Sequence, residues 1–466
     1  MKLQPYQESV LAKGDRPFAL HGTGTGKTLT SLKFIERSQK ANPDSTTVLV
    51  TSSSLRDNLV KEKDKHGVDV DLSKVYTVTH EGMSRPHIAS RVKELVGDGG
   101  TLVLDEIHKL RNPESKGYLN TMSASSVASK VLGLTGTAIV NDPEDLSNLY
   151  NLVQGNYDVK MSKFTREKRV EPTLMGRIKG EKPKVVFEIT NPKELKKSFT
   201  SLDIYYPPAN DPMLPTVTSR VEEVRMPPEQ VIAYKNAESQ AIKGNSSLAE
   251  LARKIRAGEM LTKSEAAKQN AFASQTSQAA ISSAKHLPGK VYSAKIDKVV
   301  ETISSDFLEN PEHRSVIYSN KIGAGLDPTI ASLQRAGLGD KLQVIFGDTK
   351  KSDVAGMVNN YNIGDKPILL ISDSGAEGLD LKGTRSIHVL NPHFNDGKIK
   401  QAVGRGARFG SHMHLPPEDR RIDVVHYQSV IPKGMFKKDD LSVDQYMHNL
   451  TQEKAKRRDM VISVLS

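Results

Sequence analysis

Cysteine and tryptophan are both absent from the 466 residues, and aromatic residues make up only 5%. Without cysteine there is no disulfide, no zinc-thiolate centre and no thiol nucleophile. With so few rings, a broad platform for stacking unpaired bases is not expected. Long apolar runs are missing too, since no stretch reaches the ~20 residues a helix needs to cross a bilayer. The opening Met1-Lys2-Leu3-Gln4-Pro5-Tyr6 lacks the apolar core of an export signal. These absences lead to the expectation of an intracellular, soluble protein with no membrane partner.

Positive charge, by contrast, is in excess. Lys and Arg number 66 against 55 Asp and Glu, a formal charge of +11. That balance fits a polyanionic partner such as nucleic acid, and equally a basic protein with none. At roughly 100–200 residues per domain, the length allows two to four domains.

Short apolar, β-branched runs punctuate the first 155 residues: Phe18–Leu20, Thr47–Thr51, Val75–Val78, Thr101–Leu104 and Val131–Leu134. They are too apolar to alternate faces, as expected of strands buried on both sides of a parallel sheet. The rhythm returns at Ser315–Tyr318, Leu342–Phe346, Pro367–Ile371, Ile387–Leu390 and Ile422–Tyr427. Two α/β domains follow, at 1–155 and 291–466, with residues 156–290 between them. The part from Asp158 to Lys197 carries 12 Lys/Arg against 6 Asp/Glu. A Pro-rich stretch comes next, and 229–285 reads as helices. This basic, mainly helical insertion is either a linker with a solvated charged face or a direct nucleic-acid contact.

His21-Gly22-Thr23-Gly24-Thr25-Gly26-Lys27-Thr28 follows a strand and opens a helical pattern, the setting that a phosphate loop requires. Its glycines let successive backbone N–H groups face phosphate oxygens, with Gly24, Thr25 and Gly26 forming the tight part. Lys27 is placed for the β- and γ-phosphates, and Thr28 for Mg²⁺. His21 stands where the strict pattern has glycine or alanine. Asp105 and Glu106 end another buried strand. Asp105 suits Mg²⁺, and Glu106 suits a general base acting on water. Leu134-Thr135-Gly136-Thr137-Ala138 closes the next strand.

In the second domain, Gln401-Ala402-Val403-Gly404-Arg405-Gly406-Ala407-Arg408 sets two arginines three apart, on one face if helical. Guanidinium groups stabilise the charge that develops on a transferring phosphoryl group. The glycine-bearing loop from Ser372 to Asp380, with Gly378 and Asp380, is suited to touch nucleotide and nucleic-acid backbone. Asp380 could accept a ribose hydroxyl.

The ordered set resembles the superfamily 2 helicases, and more narrowly the Swi/Snf-like ATPases with related viral nucleoside triphosphate phosphohydrolases. The residues that carry the resemblance are Leu3–Gln7, Gly24–Thr28, Thr51–Leu55, Asp105–His108, Leu134–Ala138, Gly347–Thr349, Gly375–Asp380 and Gln401–Arg408. Val221–Tyr234 and Ser293–Lys295 carry the narrower likeness. The resemblance implies two RecA-like parallel-sheet domains and a motor driven by ATP with Mg²⁺. It also implies that Gln7 reads adenine, that Arg405 and Arg408 are the arginine fingers, and that Gln401 lies near the γ-phosphate. Ser52, Ser53, Ser54 and Thr349 fall where the family grips the nucleic-acid backbone. The chain departs in having Asp380 where many Swi/Snf-like proteins carry Asn, and in lacking a chromatin-reading module.

The expectation is a minimal, monomeric motor of viral or phage type, placed in the cytoplasm or, for a virus, in host cytoplasm or virion. Double-stranded DNA is its expected partner. Duplex translocation and strand separation or RNA remodelling both remain open. The intact Lys27, Asp105, Glu106, Arg405 and Arg408 argue against a catalytically dead scaffold.

Overall fold

The structure is a computed structural model that describes residues 3–178, 184–208, 211–259, 261, 263–283, 291–373, 375, 379–392, 397–432 and 440–466. It divides into two compact units, Met1–Pro207 with Glu453–Ser466, and Pro208–Gln452.

The first unit is built on β1 (Phe18–His21), β2 (Thr47–Thr51), β3 (Val75–Thr79), β4 (Thr101–Asp105) and β5 (Lys130–Thr135). Each coincides with an apolar run read in the sequence. Later come β6 (Thr165–Val170), β7 (Lys184–Ile189) and β8 (Leu202–Tyr205). The sheet order is β3-β2-β4-β5-β1-β8, and all pairings are parallel. Successive residues feed opposite cores. Phe18, Leu20, Val48, Val50, Leu102 and Leu104 pack on one face. Ala19, Leu49, Val103, Leu132 and Leu134 pack on the other. Both faces are covered, so these strands read as continuous apolar runs.

Helices α1 (Pro5–Ala12), α2 (Lys27–Ala41) and α3 (Ser53–His66) flank this sheet. β6 and β7 pair as an antiparallel hairpin, with Arg166 bound to Glu188. Glu167 on this hairpin accepts from Arg457, whose guanidinium lies 5.6 Å from the Phe187 ring centroid. Val461, near the end of the last helix, Val443–Leu465, is fully buried in the same core.

The second unit holds β9 (Thr216–Arg225), β10 (Ser315–Tyr318), β11 (Leu342–Ile345), β12 (Ile368–Ile371), β13 (Ser386–Val389) and β14 (Arg421–Val430). Their order is β11-β12-β10-β13-β14-β9, again all parallel. Helices Pro228–Ile242, Ser246–Arg256 and Lys263–Ile281 form the helical region expected over 229–285. Tyr234, Phe272 and Tyr446 share their core. Gln230 ties two of these helices together, donating to the carbonyls of Ala279 and Ala280 at 3.2 and 3.0 Å. Lys295 and Asp444 form an ion pair that is fully buried.

β8 and β9 are edge strands that sequence patterning leaves unassigned. β9 is largely exposed, and polar residues dominate it, so no apolar period marks it. No described helix is long and apolar enough to cross a membrane.

Candidate functional site

The C-terminal ends of β1, β2, β4 and β5 lie along one edge of the first sheet, where parallel α/β folds gather their ligand loops. β1 leads into the phosphate loop. Gly24 and Gly26 both take the left-handed conformation, with φ of 79° and 71°. A Cβ on Gly26 would also sit 2.9 Å from Gln7 Nε2. The loop therefore requires glycine there for both backbone and space. Thr25 Oγ1 braces the loop by donating to the Gly22 carbonyl at 2.8 Å. Lys27 opens α2, and its ammonium donates to the carbonyls of His21 and Gly22, each at 3.2 Å. Thr28 follows in the first turn, half-buried.

Gln7 is buried beneath the loop. Its amide donates to the Thr25 and Gly26 carbonyls at 3.1 and 3.2 Å, and its Oε1 accepts from the Gln4 N–H at 3.0 Å. The amide is thus held in one orientation against the loop.

Asp105 ends β4, buried beside Lys27 and Glu106. Burial and the adjacent Glu106 charge push its carboxyl up to about 6, against the pull of a Thr51 hydrogen bond. That bond runs from Thr51 Oγ1 to Oδ2 at 2.8 Å. His80 donates from Nε2 to the Asp105 carbonyl at 2.7 Å, and burial lowers its own value to about 4. Sequence reasoning did not identify Thr51 or His80 as site residues. Both lie at or just past the ends of strands, and only the order β3-β2-β4 brings them to Asp105.

Glu106 is the one non-glycine with positive φ among the described residues, at φ 47° and ψ 46°. A side chain there costs about 1–2 kcal/mol. The strained turn aims the carboxylate back, so that Oε2 lies 3.2 Å from His108 Nδ1. The same nitrogen shares a hydrogen bond with Thr135 Oγ1 at 3.0 Å. Thr135 in turn accepts from the Thr137 N–H at 3.1 Å. A Cβ on Gly136 would sit 3.4 Å from Lys27 Nζ. The ends of β4 and β5 are therefore joined by hydrogen bonds, and both reach the phosphate loop. This cluster gathers the Lys27 ammonium, the buried Asp105 carboxyl and the Glu106 carboxylate at one edge of the sheet.

Ser52 caps α3 by accepting from the Leu55 N–H at 3.4 Å, and Ser53 is exposed in its first turn. The helix backbone at Ser54 is described, but its side chain lies outside the described residues.

In the second unit, helix Gly397–Gly406 carries Gln401 and Arg405, both half-buried. The helix stops at Gly406, where a Cβ would meet Thr384 at 3.2 Å. Arg408 consequently sits past the helix end, not on its face. Its guanidinium binds Asp380 at 3.2 Å. The Arg405 carbonyl accepts from the Leu381 N–H at 3.1 Å, so the two motifs are stitched by backbone as well. Thr349 Oγ1 accepts from the Phe346 N–H at 2.9 Å and closes its own turn. Gly378 lies outside the described residues.

Comparison with known proteins follows the same division. The SNF2-related domain matches residues 62–285, and the helicase conserved C-terminal domain matches 294–410. A putative ATP-dependent RNA helicase of Acanthamoeba polyphaga mimivirus is 29% identical over 434 residues, covering 93% of this chain and 89% of that protein. A termination factor NPH-I homolog of African swine fever virus is 25% identical over 544 residues, covering 93% of this chain and 73% of that protein. Among solved structures, the Sulfolobus solfataricus SWI2/SNF2 ATPase core in complex with dsDNA is 18% identical, with a TM-score of 0.36. That match covers 92% of this chain and 88% of the other.

Proposed function

Because this chain belongs to the SNF2-related superfamily 2 helicases, ATP-hydrolysing motors that act on nucleic acid, we propose that its work is translocation along double-stranded DNA. In this reading Lys27 holds the β- and γ-phosphates, Glu106 takes the proton of the attacking water, and Gln7 contacts adenine. Arg405 and Arg408 supply charge to the transferring phosphoryl group, with Gln401 near the γ-phosphate. Gly378 and Asp380 serve the nucleotide side of the second domain. Ser52, Ser53, Ser54 and Thr349 hold backbone phosphates.

The donor set fits Mg²⁺. Thr28 and Asp105 offer hard oxygens, and the raised Asp105 carboxyl marks a buried charge that a cation would stabilise. When bound, Mg²⁺ would neutralise phosphate charge as the terminal phosphoryl group leaves.

The observation that carries the ATPase assignment is the convergence of Lys27, Asp105 and Gly136 on one loop. Support for a duplex comes from the SNF2-related match, from the scarcity of rings to hold unpaired bases, and from the basic stretch after residue 158. A monomer in the cytoplasm of a cell or virus-infected host completes the reading. The mimiviral relative's name, an RNA helicase, favours RNA remodelling as the second reading. ATPase stimulation by duplex DNA, single-stranded DNA and RNA separates them, together with triplex displacement and forked-duplex unwinding. The expected result is stimulation by duplex and displacement of the third strand. Robust unwinding of the fork with no triplex displacement would overturn it.

A further inference from the structure

His21 stands at the head of the phosphate loop, where the pattern has a small residue, and its imidazole is fully buried. A buried ring nitrogen needs a partner. Here Asp203 Oδ1 lies 2.9 Å from Nε2. Nδ1 has no hydrogen-bond partner among the described residues. The proton therefore belongs on Nε2, which donates to the carboxylate. The other carboxylate oxygen accepts from Ser9 Oγ at 2.6 Å. Burial works to raise the Asp203 carboxyl, but the bonds from His21 and Ser9 outweigh it and hold it below its ordinary value.

These three residues lie on three elements. His21 ends β1, Asp203 belongs to the edge strand β8, and Ser9 sits on α1. One carboxylate thus ties the strand that enters the phosphate loop to the helix that carries Gln7. The Tyr6 and Tyr205 rings stack beside this link, with centroids 3.8 Å apart and planes at 7°. The Tyr6 hydroxyl also donates to the Thr25 carbonyl at 3.1 Å. With only eight residues, α1 has little stability of its own, so its seat depends on such contacts and on buried Val10.

We propose that Asp203 is a positioning residue for nucleotide binding: through His21 and Ser9 it sets α1 over the phosphate loop, and so sets nucleotide affinity and base preference. The inference rests on the reading of Gln7 as the adenine contact, and its test keeps the two apart. Steady-state hydrolysis of ATP and GTP, with equilibrium binding of a fluorescent ATP analogue, is measured for Ser9→Ala, Asp203→Ala, Asp203→Asn and Gln7→Ala. Ser9 is exposed, so its truncation leaves the core closed even if Asp203→Ala folds poorly. One net hydrogen bond corresponds to about fivefold in an equilibrium constant. Ser9→Ala should raise the KM for ATP and the analogue Kd by about that factor, and Asp203→Ala by about tenfold or more. In both, kcat should stay within about twofold and the preference for ATP over GTP should narrow. Asp203→Asn keeps an acceptor for His21 and a polar partner for Ser9, so it should restore most of the loss. Wild-type Kd and base preference in Ser9→Ala and folded Asp203→Ala would overturn the proposal, as would an Asn variant no better than Ala. If Gln7→Ala keeps its base preference, the adenine reading fails by itself. A wild-type Kd in Ser9→Ala then overturns the positioning role as well.

Discussion

Replacing Glu106 by glycine should leave the first unit more stable than replacing it by alanine does, while both changes depress hydrolysis. Its backbone sits at φ 47°, ψ 46°, where a side chain costs about 1–2 kcal/mol and glycine costs nothing sterically. Glycine loses more backbone freedom on folding, which takes back up to about 1 kcal/mol. Alanine is the control. Both variants lose the contact with His108 at 3.2 Å, so that loss cancels between them and only the backbone differs. The expected gap is about 1 kcal/mol in favour of glycine, or about 2–4 °C for a unit of this size. Thermal and urea unfolding of the two variants measure it. ATP turnover should fall in both by the factor a general base contributes, about 10²–10⁴. Equal stability of the glycine and alanine variants would refute the strain at this turn. Near-normal turnover in Glu106→Gln would refute its role as base.

Arg405→Ala and Arg408→Ala should depress turnover strongly while leaving most ATP affinity, because arginine fingers are worth on the order of 10³–10⁵ in rate; a loss under about threefold in both would make them structural. DNA affinity should fall linearly on a log–log plot against salt, at about −0.9 per phosphate contacted, and a flat dependence in a filter-binding titration would contradict backbone recognition. Acid should weaken the second unit through His388, which burial depresses to about 3 in the folded state. Its unfolded form binds a proton near 6.5, so stability is fully present above that pH and is lost as pH falls toward 3. The loss is about 2 kcal/mol by pH 5. Urea titrations at pH 7 and 5 should show a smaller loss in His388→Gln, and identical losses in the two proteins would sink the assignment.

The parallel strands were legible because burial on both faces forces continuous apolar runs, and Lys27, Asp105 and Glu106 because each follows such a run. What escaped reading is set by the order of strands rather than by any one of them. Thr51 and His80 are unremarkable until β2 is known to lie between β3 and β4. Asp203 and Tyr205 lie on β8, a four-residue strand whose Asp203 is 182 positions from His21. The Glu106 turn has no composition signal, since nothing but the surrounding geometry demands a left-handed glutamate. The polar edge strand β9 was hidden by the exposure that makes it an edge.

The first unit is assembled from both ends of the chain: Met1–Pro207 and the final Glu453–Ser466, with Val461 filling its core. A ribosome delivers these parts in order, at about 5–20 residues per second. Roughly 245 residues separate Pro207 from Glu453, so a nascent first unit waits on the order of 10–50 s for its last apolar side chains. During that interval Val461, which shares a core with Tyr150 and Phe199, is still inside the ribosome or unmade. Pausing in the second half of the message lengthens that wait, and a nonsense codon before Glu453 makes it permanent.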